Sequence, residues 1–111
     1  MKIQEQRHGA VTVLRPDGPL AASESGEFRD RMLRAYRENF GRVVLDASKI
    51  PFVDSEGLEA MLDVNDVMAS SGQSLHLCAI NDTLRRVLEL TGLSQSFEYF
   101  EDVNVAVRSF L

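Results

Sequence analysis

The chain has 111 residues, 44% of them hydrophobic and 26% charged, which suits one domain with a buried core and excludes a disordered segment. A net charge of −5 argues against a nucleic-acid backbone or an anionic membrane surface as partner, because both call for clustered Lys and Arg. The single cysteine, Cys78, excludes an internal disulfide, and no stretch approaches the roughly 20 apolar residues of a membrane span. With no apolar run after Met1-Lys2-Ile3-Gln4, the expected location is cytoplasmic, without direct membrane insertion.

The first predicted elements are two short strands, Ile3 to Arg7 and Ala10 to Leu14, joined at His8-Gly9 as a hairpin. Val11 and Val13 alternate with polar Thr12, the pattern of a half-buried strand. Arg15-Pro16-Asp17-Gly18-Pro19 breaks regular structure. Ala22 to Asn39 reads as a helix, with Phe28, Met32, Ala35 and Tyr36 at helical spacing. Ser23 or Ser25 is its expected cap, and Gly41 its left-handed stop. Its arginines, Arg29, Arg31, Arg34 and Arg37, are interleaved with Glu27, Asp30 and Glu38, which describes a solvated face.

Arg42 to Asp46 is a continuous apolar run, expected as a strand covered on both faces. Ile50-Pro51-Phe52-Val53 leads into a second helix, Ser55 to about Ser71. Leu58, Met61, Leu62, Asn65 and Met68 share one of its faces. Asn65 is either a buried polar residue or a sign that the stripe turns toward Val64 and Val67. A strand from Ser74 to Ile80 follows, with Leu75, Leu77 and Ala79 on one side and His76 and Cys78 on the other. Asn81-Asp82 caps a third helix through Leu84, Val87 and Leu88. Phe97 to Phe100 is a last strand and Val103 to Leu111 a last helix. The predicted fold is a single α/β domain over residues 1–111, in the order β-β-α-β-α-β-α-β-α, with a mostly parallel mixed sheet packed by helices.

Signatures of catalysis and cofactor binding are missing. The glycines are isolated and form no phosphate loop. There is no cysteine pair for zinc, and His8 and His76 are far apart in sequence. No metal, cofactor or catalytic residue is therefore expected. Cys78 reads as a buried, inert thiol and His76 as a side chain on a sheet face.

The remaining feature is Val53-Asp54-Ser55-Glu56-Gly57-Leu58, where an extended segment meets a helix. Asp54 is placed as N-cap and Ser55 as first helical residue, its hydroxyl near the rim. Gly57 costs a helix about 1 kcal/mol relative to Ala, which points to a close approach by a neighbouring segment or a partner. Two readings stand from the residues alone: an ordinary helix start, or a serine that accepts a phosphoryl group. A phosphate at Ser55 would add a charge of about −1.5 to −2, tolerated by the helix N-terminus but not by a partner docked there.

Those residues resemble the Asp-Ser-x-Gly-Leu motif of the STAS domain family, the bacterial anti-sigma factor antagonists. The resemblance extends to Arg42-Val43-Val44-Leu45-Asp46, Leu77-Cys78-Ala79-Ile80-Asn81, Leu84-Arg85-Arg86-Val87-Leu88 and Thr91-Gly92-Leu93, in the same order of elements. It implies a protein that binds an anti-sigma factor with serine kinase activity, is phosphorylated at Ser55, lets go, and is reset by a serine phosphatase. It implies a partner-binding surface at Asp54, Ser55, Glu56, Gly57, Ala21 and Ser23. Two positions depart from the family pattern. Gly18-Pro19-Leu20 is followed by Ala21 where an acidic residue is frequent, and Glu56 stands where a small or hydroxylated residue is frequent. Those departures leave an alternative, an unphosphorylated scaffold module in a signalling or transport assembly.

Overall fold

The fold follows from how the strands are connected. In the computed structural model, which describes residues 1–111, β1 (Lys2–His8) pairs antiparallel with β2 (Val11–Asp17), from Lys2↔Asp17 to His8↔Val11. The remaining strands, β3 (Val43–Asp46), β4 (His76–Cys78) and β5 (Glu98–Phe100), are added in parallel, giving the order β1-β2-β3-β4-β5. Helices α1 (Ala22–Glu38), α2 (Ser55–Ala69) and α3 (Asp82–Leu90) make the three crossovers. Each parallel strand lies beside its predecessor and the winding never reverses, so crossovers of one hand fall on one face of the sheet. Helix α4 (Val103–Arg108) follows β5 and takes the other face.

The core is divided accordingly. Leu14, Val43, Leu45, Leu75 and Leu77 meet Phe28, Met32 and Ala35 of α1, Ala60, Met61, Val64 and Met68 of α2, and Leu84 and Leu88 of α3. Each large side chain buried there contributes about 1.5–3 kcal/mol. A smaller cluster joins Val11, Val13, Val44 and Cys78 to Ala106 of α4. All four residues of β3 are buried, as its continuous apolar run predicts.

The element order matches the sequence expectation, and the differences are local. β2 runs through Pro16 to Asp17 where a break is expected. Its pairing with β3 ends at Leu14, so one flank is an open edge from there on, and an edge tolerates a residue without an N–H. Thr12 is fully buried and donates its hydroxyl to Asn39 Oδ1 at 2.8 Å, so the strand is covered on both faces where alternation suggests half-burial. The left-handed stop of α1 falls first on Phe40 (φ 53°), with Gly41 (φ 86°) after it, and the Gly41 N–H closes the helix on Tyr36 O at 2.9 Å. β4 is shorter than Ser74 to Ile80, because the Leu75 N–H is taken by a side chain at one end and Ala79 turns left-handed (φ 57°) at the other. A short 3₁₀ turn, Ser94–Ser96, precedes β5, and α4 stops at Arg108, short of Leu111.

Both readings of Asn65 hold in part. Val64 is buried while Val67 is exposed, and Asn65 is itself buried with its Oδ1 accepting the Leu75 N–H at 2.7 Å. This bond fixes where the chain enters β4.

Candidate functional site

Two loops meet at one end of the sheet. The loop after β2 runs beside the segment before α2: Gly18 N–H donates to Lys49 O at 3.0 Å and Leu20 N–H to Phe52 O at 3.1 Å, and Leu20 bridges Val53 in parallel. Asp54 N–H returns a bond to Leu20 O at 3.2 Å. On the far side, the Asn81 side-chain amide donates to Ile50 O and Pro51 O, both at 3.1 Å, while its Oδ1 caps α3. The run from Ile50 to Asp54 is thus held between the β2–α1 loop and the head of α3.

Asp54 is the N-cap of α2, as expected: its Oδ1 accepts the Gly57 N–H at 2.8 Å. Its Oδ2 accepts the Ala22 N–H, at the head of α1, at 3.0 Å. One carboxylate therefore serves two helix N-termini, where negative charge is favoured by both dipoles. The expected cap of α1, Ser23 or Ser25, is not used. The N-cap position is Ala21, which has no side-chain acceptor, and Asp54 supplies one from another helix. Ser23 sits exposed in the first turn, with its hydroxyl on Glu24. Ser25 donates back to Ala22 O at 3.0 Å.

Gly57 is explained within the chain. A Cβ there would lie 2.1 Å from Leu20 O and 3.0 Å from Val53 Cγ1, so the close approach is that of the Leu20 loop. The glycine lets α2 begin directly against the bridge that orients Ser55.

Ser55 is exposed at the head of α2, and Glu56 is exposed beside it. Glu56 lines a shallow groove of about 210 Å³ between α1 and α2, with Ser25, Arg29, Glu59, Ala60 and Asp63. Arg29 pairs there with Asp63 at 3.5 Å. The Arg31 guanidinium reaches Glu5 of β1 at 3.6 Å, so two of the four α1 arginines, Arg29 and Arg31, are engaged in ion pairs. On the other side of Ser55, half-buried Ala21 joins Gly18, Pro19, Asp17, Glu24, Met1 and Phe52 around a cleft of about 190 Å³.

Phe52 is the residue that sequence reasoning missed. It is 47% exposed, two positions before the cap, where a large apolar side chain has no core to enter. Ile50 and Val53 on either side are buried while Pro51 and Phe52 are exposed, a division that Ile50-Pro51-Phe52-Val53 does not reveal by itself.

The structure does not bring His76 to Ser55. His76 meets Glu98, Ser109, Phe100 and Phe110 at the other face of the sheet. Burial holds its pKa below the ordinary 6.5, against the opposing pull of Glu98. Cys78 is fully buried, and that burial, with Asp46 and Asp102 nearby, pushes its thiol up to about 12. Such a thiol is inert at neutral pH. No helix is long and apolar enough to cross a membrane.

The site is thus an acidic loop junction that presents an exposed serine at a helix head. It sits on a mixed α/β domain with five strands and four helices. The model of the STAS domain family matches residues 2–106, and the chain belongs to that family. A Paenibacillus polymyxa protein named anti-sigma F factor antagonist is 25% identical over 103 residues, covering 92% of this chain and 88% of that one. An anti-sigma factor antagonist from Mycobacterium paratuberculosis superposes with a TM-score of 0.82 at 18% identity, over 97% of this chain and 92% of that one. The anti-sigma factor antagonist SpoIIAA in its unphosphorylated form superposes with a TM-score of 0.75 at 18% identity, over 98% and 96%. At these identities the superpositions show a shared fold.

Proposed function

We propose that this chain is a cytoplasmic anti-sigma factor antagonist that binds an anti-sigma factor with serine kinase activity and is released by phosphorylation at Ser55. The observation that carries the reading is the junction at Asp54. Both oxygens of that carboxylate are occupied by backbone N–H groups, so it positions the head of α2 while the adjacent Ser55 stays exposed. In this role the chain is a substrate and a binder, and a serine phosphatase resets it. SpoIIAA, which shares the fold, has been solved in phosphorylated and unphosphorylated forms.

The partner surface comprises Asp54, Ser55 and Glu56 at the head of α2, with Ala21 and Ser23 at the head of α1; Gly57, expected on that surface, is buried against Leu20 and serves it from beneath by letting α2 start there. Phosphate at Ser55 adds charge and bulk where a partner must come close, and leaves the fold in place. Glu56 makes the phosphoryl transfer electrostatically harder, so the kinase must bring compensating cations to the serine.

The test is incubation of the chain with a candidate anti-sigma factor kinase from the same genome and ATP, followed by peptide mass spectrometry. Phosphate is expected on Ser55, and its absence there overturns the switch. Ser55→Asp is expected to weaken kinase binding at least tenfold and Ser55→Ala to preserve it. Equal affinities would remove charge as the mechanism.

A further inference from the structure

Phe52 is an exposed apolar side chain on a fixed mount. Its backbone is held from both sides. Its carbonyl accepts the Leu20 N–H at 3.1 Å, and Val53 after it bridges Leu20. The carbonyls of Ile50 and Pro51 before it accept the Asn81 side-chain amide, both at 3.1 Å. Pro51 fixes φ one residue upstream. An aromatic presented in this way loses little backbone freedom on docking, so more of the area it buries appears as affinity. The other exposed phenylalanine, Phe40, lies past the end of α1, at the opposite end of the sheet from Ser55.

The surroundings of Phe52 are acidic. Two segments build this end of the domain, Asp17 to Ser25 and Ser48 to Leu58. Their acidic residues are Asp17, Glu24, Asp54 and Glu56, and their one basic residue is Lys49. Asp54 uses its carboxylate on two backbone N–H groups. Asp17 and Glu24 line the cleft of about 190 Å³ that Phe52 walls, together with Pro19 and Ala21. Neither forms an ion pair within the chain. A partner that covers Phe52 also covers these two carboxylates, and a neutral or acidic surface would desolvate them without compensation. We infer that Phe52 is the anchor of the partner interface, received by the anti-sigma factor in an apolar recess bordered by Lys or Arg opposite Asp17 and Glu24. This rests on the reading of the chain as an anti-sigma factor antagonist, and adds to it the residue that supplies affinity and the chemistry of the surface it meets.

The arrangement separates what holds the complex from what releases it. The anchor is apolar and short-range, because its contacts are lost as soon as a gap opens. Ser55 follows Phe52 by three positions and is not part of the cleft that Asp17 and Glu24 line. A phosphate on Ser55 needs only to hold the two surfaces apart to empty the recess. The partner's cations, already matched to Asp17 and Glu24, offer that phosphate little compensation.

The test titrates purified candidate anti-sigma factors from the same genome with the full chain by calorimetry, without ATP. Phe52→Ala is expected to weaken the complex about thirtyfold, with far-ultraviolet circular dichroism still reporting a folded chain. Phe40→Ala removes the other exposed phenylalanine and is expected to bind as wild type does. Asp17→Asn combined with Glu24→Gln is expected to weaken the complex about fivefold and to reduce its dependence on salt. Equal affinities of wild type and Phe52→Ala overturn the anchor and leave the antagonist reading standing, because the complex still forms. An equal loss in Phe40→Ala also overturns it. A doubly amidated chain that binds as wild type does overturns the basic border. Failure of the wild-type chain to bind any anti-sigma factor of its genome overturns the antagonist reading, and the anchor with it. If Phe52→Ala does not fold, the ring proton signals of Phe52 in the wild-type chain replace it. They are expected to shift when the complex forms, and unshifted signals overturn the proposal.

Discussion

The carboxylate of Asp54, at the head of α2, accepts the backbone N–H of Ala22 at the head of α1, 32 positions earlier in the chain. The same side chain holds Gly57 N–H in its own helix. The two helices that flank the exposed serine are therefore locked in relative position by one residue. A side-chain cap is worth about 0.5–2 kcal/mol. Asp54→Ala removes two acceptors at once and is expected to destabilise the domain by about 2 kcal/mol in urea unfolding. Asp54→Asn keeps one acceptor oxygen and is expected to fall between wild type and Asp54→Ala. Equal stability of the Asn and Asp forms would mean that the second cap contributes nothing.

Gly57→Ala sets helix propensity against packing. Propensity favours Ala by about 1 kcal/mol. The added Cβ would sit 2.1 Å from Leu20 O, which is backbone held by the bridge to Val53 and cannot rotate aside. Overpacking of this kind costs about 1–3 kcal/mol, so the substitution is expected to be net destabilising. Faster amide exchange at Asp54, whose N–H bonds Leu20 O, would locate the damage. A stabilised Gly57→Ala protein would contradict the close approach.

Asn65→Leu tests the buried amide of α2. The Leu75 N–H would lose its acceptor inside the core, a loss of about 1–3 kcal/mol. Unfolding should show this as a lowered urea midpoint with an unchanged slope. A neutral outcome would mean that water or another carbonyl takes over the N–H.

Ser55→Asp is expected to leave stability within about 0.5 kcal/mol of wild type, because the residue is exposed at a helix N-terminus. Thermal unfolding checks this, and it separates any loss of partner binding from loss of fold. A large drop in Tm would show that the head of α2 does not tolerate added charge.

His76 also shapes stability against pH. Its pKa in the folded chain lies below the ordinary 6.5, so near pH 6 the folded state binds fewer protons than the unfolded one. Stability is then fully present above about pH 6.5 and falls as the pH drops toward the folded-state value. Urea unfolding at pH 7.5 and 5.5 should show the decrease, and His76→Phe should make it smaller. A midpoint that rises on acidification would reverse the assigned direction of the shift.

Much of this protein is legible in local patterns. The β-branched run at Val43-Val44-Leu45 declares a strand covered on both faces, and Phe28, Met32 and Ala35 declare the inner face of α1. Asp54 before Ser55 and Asn81 before Asp82 declare helix starts, because a capping side chain acts within a few residues of its own backbone. The motif around Ser55 is local in the same sense, and its resemblance to the family could be read without coordinates. Composition alone removes membrane spans and disulfides from consideration.

The rest depends on contacts between residues distant in sequence. Nothing near Ala21 says that its helix is capped by Asp54, and Ser23 and Ser25 were the better local candidates. Pro16 reads as a breaker until the free flank of β2 beyond Leu14 is seen. Gly57 signals a close approach but cannot say that the neighbour is Leu20. His76, Glu98 and Ser109 are scattered over 34 positions and meet only because β4, β5 and α4 stack at one end of the sheet. Sequence by itself determined the elements, their order and the serine at the helix head, since these follow from propensity, periodicity and short-range caps. Tertiary structure alone decided that one carboxylate binds two helices beside that serine and that the imidazole of His76 meets Glu98, Ser109 and Phe110, since both require groups distant in sequence that only the folded chain brings within reach.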